Sequence, residues 1–349
     1  MQQKTALIAM SGGVDSSVAA YLTQQAGFSC LGATMHLLDS TPEQIADAQS
    51  VARRMGIPFH VFDFKDAFRC HVMDAFVSAY ESGATPNPCV ECNRHLKFGL
   101  LLDKALELGC DCVVTGHYAR IAQHPDTGQL MLQKALDEGK DQSYFLYALT
   151  QAQLGRIRFP LGELTKAEAR EIAQAQGFVT ARKKDSQDIC FIPDGDYLAF
   201  MQEYTQKSYP AGNFLDTAGN VVGRHKGAVA YTLGQRKGLG LAMGEPVYVC
   251  DKDMQANTVT VGTNADLMHT TLLADHWYWQ ALDAVDTPLR VNAKARSRMT
   301  EQPATVYPEE NGFVKVVFDE PQRAITPGQA VVLYDGDCVI GGGTIQKVL

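Results

Sequence analysis

The chain has 349 residues, a formal net charge of −8 and 46% hydrophobic residues. That length exceeds one compact domain and predicts two or three, with enough apolar residues to build their cores. The acidic balance excludes a basic nucleic-acid coat, so any RNA contact has to come from local patches, and no apolar run approaches the ~20 residues of a membrane helix.

Met1 to Thr5 lead straight into the first predicted strand, so no signal peptide is expected. Nine cysteines, an odd number, point to a reducing cytoplasm. Ala6-Leu7-Ile8-Ala9 reads as a buried strand, and Val14 onward has helical spacing. Between them, Gly12 and Gly13 permit a sharp turn and close approach of a ligand to the backbone. Ser11, Ser16 and Ser17 add hydroxyls, and the N–H groups and dipole of the new helix favour an anion in the turn. The stretch reads as a phosphate cradle. It is not a Walker loop, because no Gly-Lys-Ser/Thr follows.

Phe28 to Met35 predicts a second strand. Thr41 suits a helix N-cap, Pro42 the first turn and Gln44 the reciprocal capping position of a helix running to Gly56. Pro58 to Phe64 is a third strand. This alternation predicts a doubly wound α/β domain, a parallel sheet with helices on both faces. Ligands bind at the carboxyl ends of such strands, where the Ser11–Asp15 loop lies. Met35 ends the second strand there, as an adenine contact or as plain core.

Residues 82–93 hold two prolines and a glycine and predict irregular chain, followed by a helix from Arg94 to Leu108. Cys92 would then sit at a helix N-terminus, which lowers a thiol's pKa. Cys110 to Thr115 reads as a strand closing on Gly116-His117-Tyr118, and Arg120 to Ala135 as a hairpin. Lys140-Asp141-Gln142-Ser143 predicts a helix ending near Leu149; Thr165-Lys166-Ala167-Glu168 is a capping box opening another, stopped by Gly177. The polar, basic run Arg182 to Asp188 leads into Cys190, and cations there would favour its thiolate. Tyr197 to Tyr204 is a short helix.

From Pro210 short alternating runs replace helical spacing. Hairpins are predicted at Asn213 to Gly223 and Val247 to Val261, around a glycine-rich, basic stretch from Tyr231 to Leu239. Strands at Leu289–Arg296, Ala304–Tyr307, Gly312–Phe318, Ala330–Tyr334 and Asp337–Gln346 predict a small β-barrel. The expected domains are 1–204, 205–272 (small, mostly β) and 273–349.

Cys89-x-x-Cys92 allows three readings. It could join Cys110 and Cys112, which a strand would project from one face, in a structural zinc site. The two could be core cysteines. Or they are a reactive pair at the mouth of the nucleotide site, the reading preferred here because a phosphate cradle precedes them.

Ser11-Gly12-Gly13-Val14-Asp15-Ser16-Ser17 resembles the PP-loop of the ATP pyrophosphatases, which cleave ATP between the α and β phosphates. Thr85-Pro86-Asn87-Pro88, Cys92-Asn93, Thr115-Gly116-His117-Tyr118, Lys140-Asp141-Gln142-Ser143-Tyr144 and Ile189-Cys190-Phe191-Ile192 follow in order. With Gly234-Gln235-Arg236, Thr326-Pro327-Gly328-Gln329 and Gly341-Gly342-Gly343, the whole chain resembles the tRNA-specific 2-thiouridylases.

The resemblance implies ATP-dependent conversion of the wobble uridine of tRNA to 2-thiouridine. It assigns ATP to Ala9, Met10, Ser11, Gly12, Gly13, Val14, Asp15 and Ser16, with Met35 and Gly116, and Mg²⁺ to its phosphates. Asp15 would take part in catalysis. The target base would meet Asn87, Pro88 and Cys89. Cys190 would carry sulfur as a persulfide, supplied by a cysteine desulfurase or relay protein, with Cys92 as partner nucleophile and a Cys92–Cys190 disulfide as by-product. RNA would be touched by His117, Lys140, Asp141, Gln142, Arg296, Ser297 and Gln329. Lys294, Arg296 and Arg298 would share a strand face. Some members carry an aspartate, proposed as acid/base, where this chain has Cys89. A thiol titrates near pH ~8.5 against ~3.9 for a carboxyl, so that role does not transfer. Cys89, Cys92 and Cys190 could instead hold a [4Fe-4S] cluster. The rivals are an amidating PP-loop ligase, which needs no thiols, and a non-catalytic RNA-binding protein.

Overall fold

A computed structural model describes residues 3–39, 42–183, 189–280, 282 and 284–349. Four strands open the chain: β1 (Thr5–Ala9), β2 (Ser29–His36), β3 (Phe59–Asp63) and β4 (Cys112–Val114). A hairpin, β5 (Arg120–Gln123) and β6 (Leu130–Gln133), and the short β7 (Ile157–Arg158) follow. β1 to β4 and β7 form the expected parallel sheet, in the order β3-β2-β1-β4-β7. Side chains of β1 alternate between two cores, Ala6 and Ile8 into one and Leu7 into the other. On the first face pack α1 (Val14–Gln25), α2 (Pro42–Met55) and the helix Lys166–Ala175. The second is covered by helices 65–81 and 88–107 and by Tyr197–Thr205. Thr41, expected to cap α2, lies outside the described residues.

Three local expectations are corrected. The helix expected from Arg94 starts at Pro88: Pro88–Glu91, a π-type stretch Cys92–Leu100 and Leu101–Glu107 run without a break. Pro88 does not break the helix but opens it, since a first-turn residue needs no N–H partner and its φ is already helical. The helix expected over 140–149 is only a 3₁₀ turn, Ser143–Phe145. Asp141 Oδ1 there accepts from Ala135 N and Ser143 N, and Gln142 Oε1 from Tyr118 N, so these side chains fasten a loop. Cys110 and Cys112 do not share a face, because β4 begins only at Cys112. They enter the two cores on opposite sides of the sheet, so the four-cysteine zinc site cannot assemble.

The central region pairs β8 (Gly212–Leu215) with β9 (Val221–His225) and β10 (Tyr248–Asp253) with β11 (Thr258–Gly262), the two expected hairpins, around buried Phe214. The C-terminal region has six strands: β12 (Met268–Trp279), β13 (Leu289–Lys294), β14 (Gln302–Pro308), β15 (Val314–Arg323), β16 (Ala330–Asp335) and β17 (Cys338–Val348). The order β12-β15-β14-β13-β16-β17, with β12 also paired to β17, closes the predicted barrel. β12 was not predicted and crosses the expected 272/273 boundary. Register shifts at 269–271 and 275–278, with His276 at φ 48°, hide its period of two. β13 stops at Lys294, so Lys294, Arg296 and Arg298 do not share a strand.

The nucleotide domain and the barrel are not loosely tethered. β6 pairs with β17 through Gln133 and Cys338. One apolar core takes Val90, Phe98 and Tyr144 from the first domain and Ala330, Val332 and Tyr334 from the barrel.

Candidate active site

The sheet reverses its strand order at β1 and β4, and a ligand crevice opens at such a point. Both turns expected to bind nucleotide lie there. Gly12 has φ +70°, and a Cβ on it would run into the backbone of Gln44. A Cβ on Gly116 would stand 2.7 Å from the Asp15 carbonyl carbon and 2.8 Å from Ser16 N. The turn after β4 thus rests directly on the PP-loop backbone.

The hydroxyls divide their work. Ser16 Oγ accepts from Ser11 N at 3.2 Å and donates to Gly13 O at 3.2 Å, holding the loop's curve. Ser17 Oγ donates to Gly13 O and meets Thr180 in the core. Ser11 remains exposed. Gly13 is the N-cap of α1 and no side chain caps the helix, so its first-turn N–H groups face the crevice without a side-chain partner. Met10 and Val14 are buried, and the Met10 backbone donates to Ala33 O and accepts from Thr34 Oγ1, while Ala9 and Met35 are half-buried at the strand ends.

Two lysines that sequence reasoning did not assign to the loop reach it. Lys166 Nζ donates to both carboxylate oxygens of Asp15, at 2.7 and 2.8 Å, and Tyr118 OH donates to Oδ1 at 3.0 Å. Lys183 Nζ bridges Gly12 O and Asp47. The capping box was a usable signal for Lys166. It fixes that residue as the first of a helix whose Thr165 and Glu168 make both reciprocal bonds. Lys183 belongs to the basic run expected to favour the Cys190 thiolate. Its ammonium goes to the PP-loop instead, and 184–188 lie outside the described residues.

The cysteines converge. Cys89 and Cys190 are exposed, Cys92 half-buried, and all three are free thiols. The charges of Cys92 and Cys89 both act on Cys190. All three also feel the charge of Lys97, whose Nζ lies 3.4 Å from His117, the neighbour of Gly116 in the turn that packs on the PP-loop, which sets the thiols near that turn. Surrounding protein, more than any charge, pushes all three thiols above the ordinary range, Cys190 to about 12. The expected lowering at Cys92 is therefore overturned. Cys92 lies a full turn inside its helix, where the dipole and free N–H groups no longer act.

The cation that offsets this burial is Lys97, which favours the thiolate at all three positions. It stands five positions beyond Cys92, about 140° away around an α-helix. The π-type i→i+5 turn through Cys92–Leu100 brings them to one side. Lys97 Nζ also meets His117 Nε2 at 3.4 Å, and His117 Nδ1 meets Thr115 Oγ1 at 2.7 Å. Burial, then Lys97, holds His117 well below the usual histidine range and so neutral.

Three family models divide the chain between them: a tRNA methyl transferase HUP domain over residues 4–194, a tRNA methyl transferase PRC-barrel domain over 198–263 and an aminomethyltransferase beta-barrel domain over 269–345. The tRNA-specific 2-thiouridylase MnmA of Clostridioides difficile is 45% identical, covering 99% of each chain. That of Acetivibrio thermocellus is 45% identical over 99% of this chain and 100% of its own, and that of Symbiobacterium thermophilum 46% over 99% and 93%. The chain belongs to the tRNA-specific 2-thiouridylase family.

In this 2-thiouridylase family member, the residues expected at the target base open one helix. Asn87 is its N-cap, Pro88 is buried in its first turn and Cys89 is exposed. The residues expected on RNA are placed unevenly. His117 is buried between Phe98 and Phe159. Asp141 spends its oxygens on the Ala135 and Ser143 N–H groups and the Ser143 hydroxyl, Gln142 its carbonyl on Tyr118 N, and Lys140 is half-buried beside them. Arg296 turns inward to Leu233 O and the Thr326 hydroxyl. Gln329 Nε2 donates to Thr85 O at 2.8 Å and Pro86 O at 3.2 Å, clamping the turn before Asn87 to the barrel. Ser297 is half-buried just past β13. Among the described residues no three His, Cys, Asp or Glu side chains are placed to hold a metal ion, and no helix is long and apolar enough to cross a membrane.

Proposed function

We propose that this chain is a tRNA-uridine 2-sulfurtransferase that uses ATP to convert the wobble uridine of tRNA to 2-thiouridine. What supports the reading most is that Cys92 and Cys190, distant in sequence, lie near enough for the charge of one to act on the other, under a lysine that reaches the turn beside the PP-loop. An amidating ligase has no use for it, and a passive RNA-binding protein none for the PP-loop.

ATP lies along Ala9–Ser16, with Met35 and Gly116 beside it and its phosphates against the first turn of α1. Mg²⁺ bound with ATP would neutralise phosphate charge, while Asp15 and Asp47, each engaged by a lysine, hold the loop around it. The uracil C2 oxygen attacks the α-phosphorus and pyrophosphate leaves. The terminal sulfur of a Cys190 persulfide then attacks C2 and AMP departs with the oxygen. The Cys92 thiolate attacks Cys190 Sγ and the S–S bond breaks. Its electron pair stays on the base sulfur, and a Cys92–Cys190 disulfide remains for a dithiol reductant. A persulfide donor, a cysteine desulfurase or relay protein, reloads Cys190. A reducing cytoplasm suits these thiols. Cys89, its thiol pushed upward, is a poor base at neutral pH. The persulfide route needs no chemistry beyond these thiols and is favoured over a [4Fe-4S] cluster on Cys89, Cys92 and Cys190.

Purified enzyme incubated with tRNA, ATP, Mg²⁺ and a persulfide donor should yield 2-thiouridine by nucleoside mass spectrometry, and Cys190→Ser should yield none. Thiolation that survives Cys190→Ser, or an aminated base instead, would sink the reading.

A further inference from the structure

All three domains wall a cavity of about 620 Å³ that the chemistry above leaves unused. Asn87 and Glu91 border it from the base-binding turn, Leu233 and Lys252 from the central domain, and Pro327 and Gln346 from the barrel. The volume lies within the range of nucleotide-sized sites.

Lys252 is the anomaly in this wall. It is half-buried on β10, and its Nζ donates to Tyr231 O at 2.9 Å and lies 6.0 Å from the Tyr80 ring centroid. Among the described residues no carboxylate pairs with it within 4.0 Å. An ammonium has three donors, and one is spent. Burial pushes its pKa down to about 8, with Asp251 opposing only in part. A cation taken out of water without a partner costs stability unless a ligand supplies the anion. Glu91, the other carboxylate on the wall, is engaged by His95 at 3.3 Å.

We propose that Lys252 receives a backbone phosphate of the RNA next to the target nucleotide, and that the cavity holds that neighbouring nucleotide. The inference rests on the tRNA reading above and adds a site to it. Asn87 belongs to both places, so a base entering the catalytic crevice brings its neighbour to the cavity mouth. Leu233, Pro327 and Val90 offer an apolar wall for a base, and Lys252 the counter-charge for its phosphate.

Binding of full-length unmodified tRNA, without ATP, tests this. Lys252→Met should weaken binding about three- to tenfold and flatten the slope of log affinity against log salt by about one. Lys252→Arg should keep both. Across pH 7–9.5 wild-type affinity should fall as free Lys252 loses its proton near pH 8, while Lys252→Arg stays level. The facing groups are Asp251 beside it, Tyr80 under it, and Glu91 and Tyr147 across the cavity. Burial raises both tyrosines above this window. A second measurement needs no variant. A neutral methylphosphonate at one of the two linkages flanking the target uridine should weaken wild-type binding by the same factor. Unchanged affinity and slope in Lys252→Met, or indifference to both methylphosphonates, would overturn the site. So would a defect confined to sulfur delivery, which would assign the cavity to the donor protein. Nucleoside mass spectrometry on the same wild-type preparation reports separately on the thiolation reading.

Discussion

Lys97 shows how one side chain can decide the reactivity of a site. The protein surrounding the cluster works against every thiolate, even at exposed Cys89 and Cys190, and among the described residues Lys97 is the lysine whose charge favours the thiolate at all three. Replacing it with methionine removes the favourable charge and leaves the burial. The pH profile of iodoacetamide labelling at Cys92 should move to higher pH, with about three- to tenfold slower labelling at neutral pH. Lys97→Arg should restore most of the rate. An unchanged profile in Lys97→Met would show that the ammonium does not act on the sulfur. His117 belongs to the same argument. A neutral, buried ring bridging Thr115 and Lys97 steadies the cation and presents no charge to RNA.

At the scale of elements, legibility followed hydrogen-bond register. Where helices were α and strands unbroken, apolar spacing placed them to within a residue or two, as with β1, α1 and Tyr197–Thr205. Thr165 and Glu168 announced their helix because both halves of the cap are local in sequence. Thr165→Ala should lower stability by about 1 kcal/mol in urea unfolding and raise the KM for ATP by loosening Lys166 from Asp15. The Thr165 N–H, the larger cause, holds the Glu168 carboxyl below its ordinary range. The cap is therefore intact above that range and weakens as pH falls through it. The π-type stretch Cys92–Leu100 was illegible for the opposite reason. A 3.6-residue period puts Cys92 and Lys97 apart, and nothing local marks the wider turn. β12 was lost where bulges break alternation. Lys183, Arg296 and Gln329 were recognised as polar or basic, but their partners lie far along the chain.

At the scale of the whole molecule, the turn proposed to meet the target base is held from outside its own domain. Thr85 N donates to Pro327 O, Gln329 grips Thr85 and Pro86, and a Cβ on Gly328 would stand 2.9 Å from Thr85 N. Gln329→Ala should therefore reduce kcat for thiolation severalfold while leaving the KM for ATP unchanged, since the PP-loop lies elsewhere. A rise in the ATP KM with kcat intact would refute this division of labour.

The pairing of β6 with β17 has a consequence for the order of folding. β17 both seals the barrel against β12 and takes the edge of a hairpin 205 positions earlier, where Gln133 meets Cys338. A contact so distant along the chain closes a large loop, and that entropy is lost before the pairing returns anything. The α/β sheet, built from nearer neighbours, can therefore form ahead of its seam with the barrel, and a refolding chain should pass through a stage in which both halves are shaped and not yet locked together.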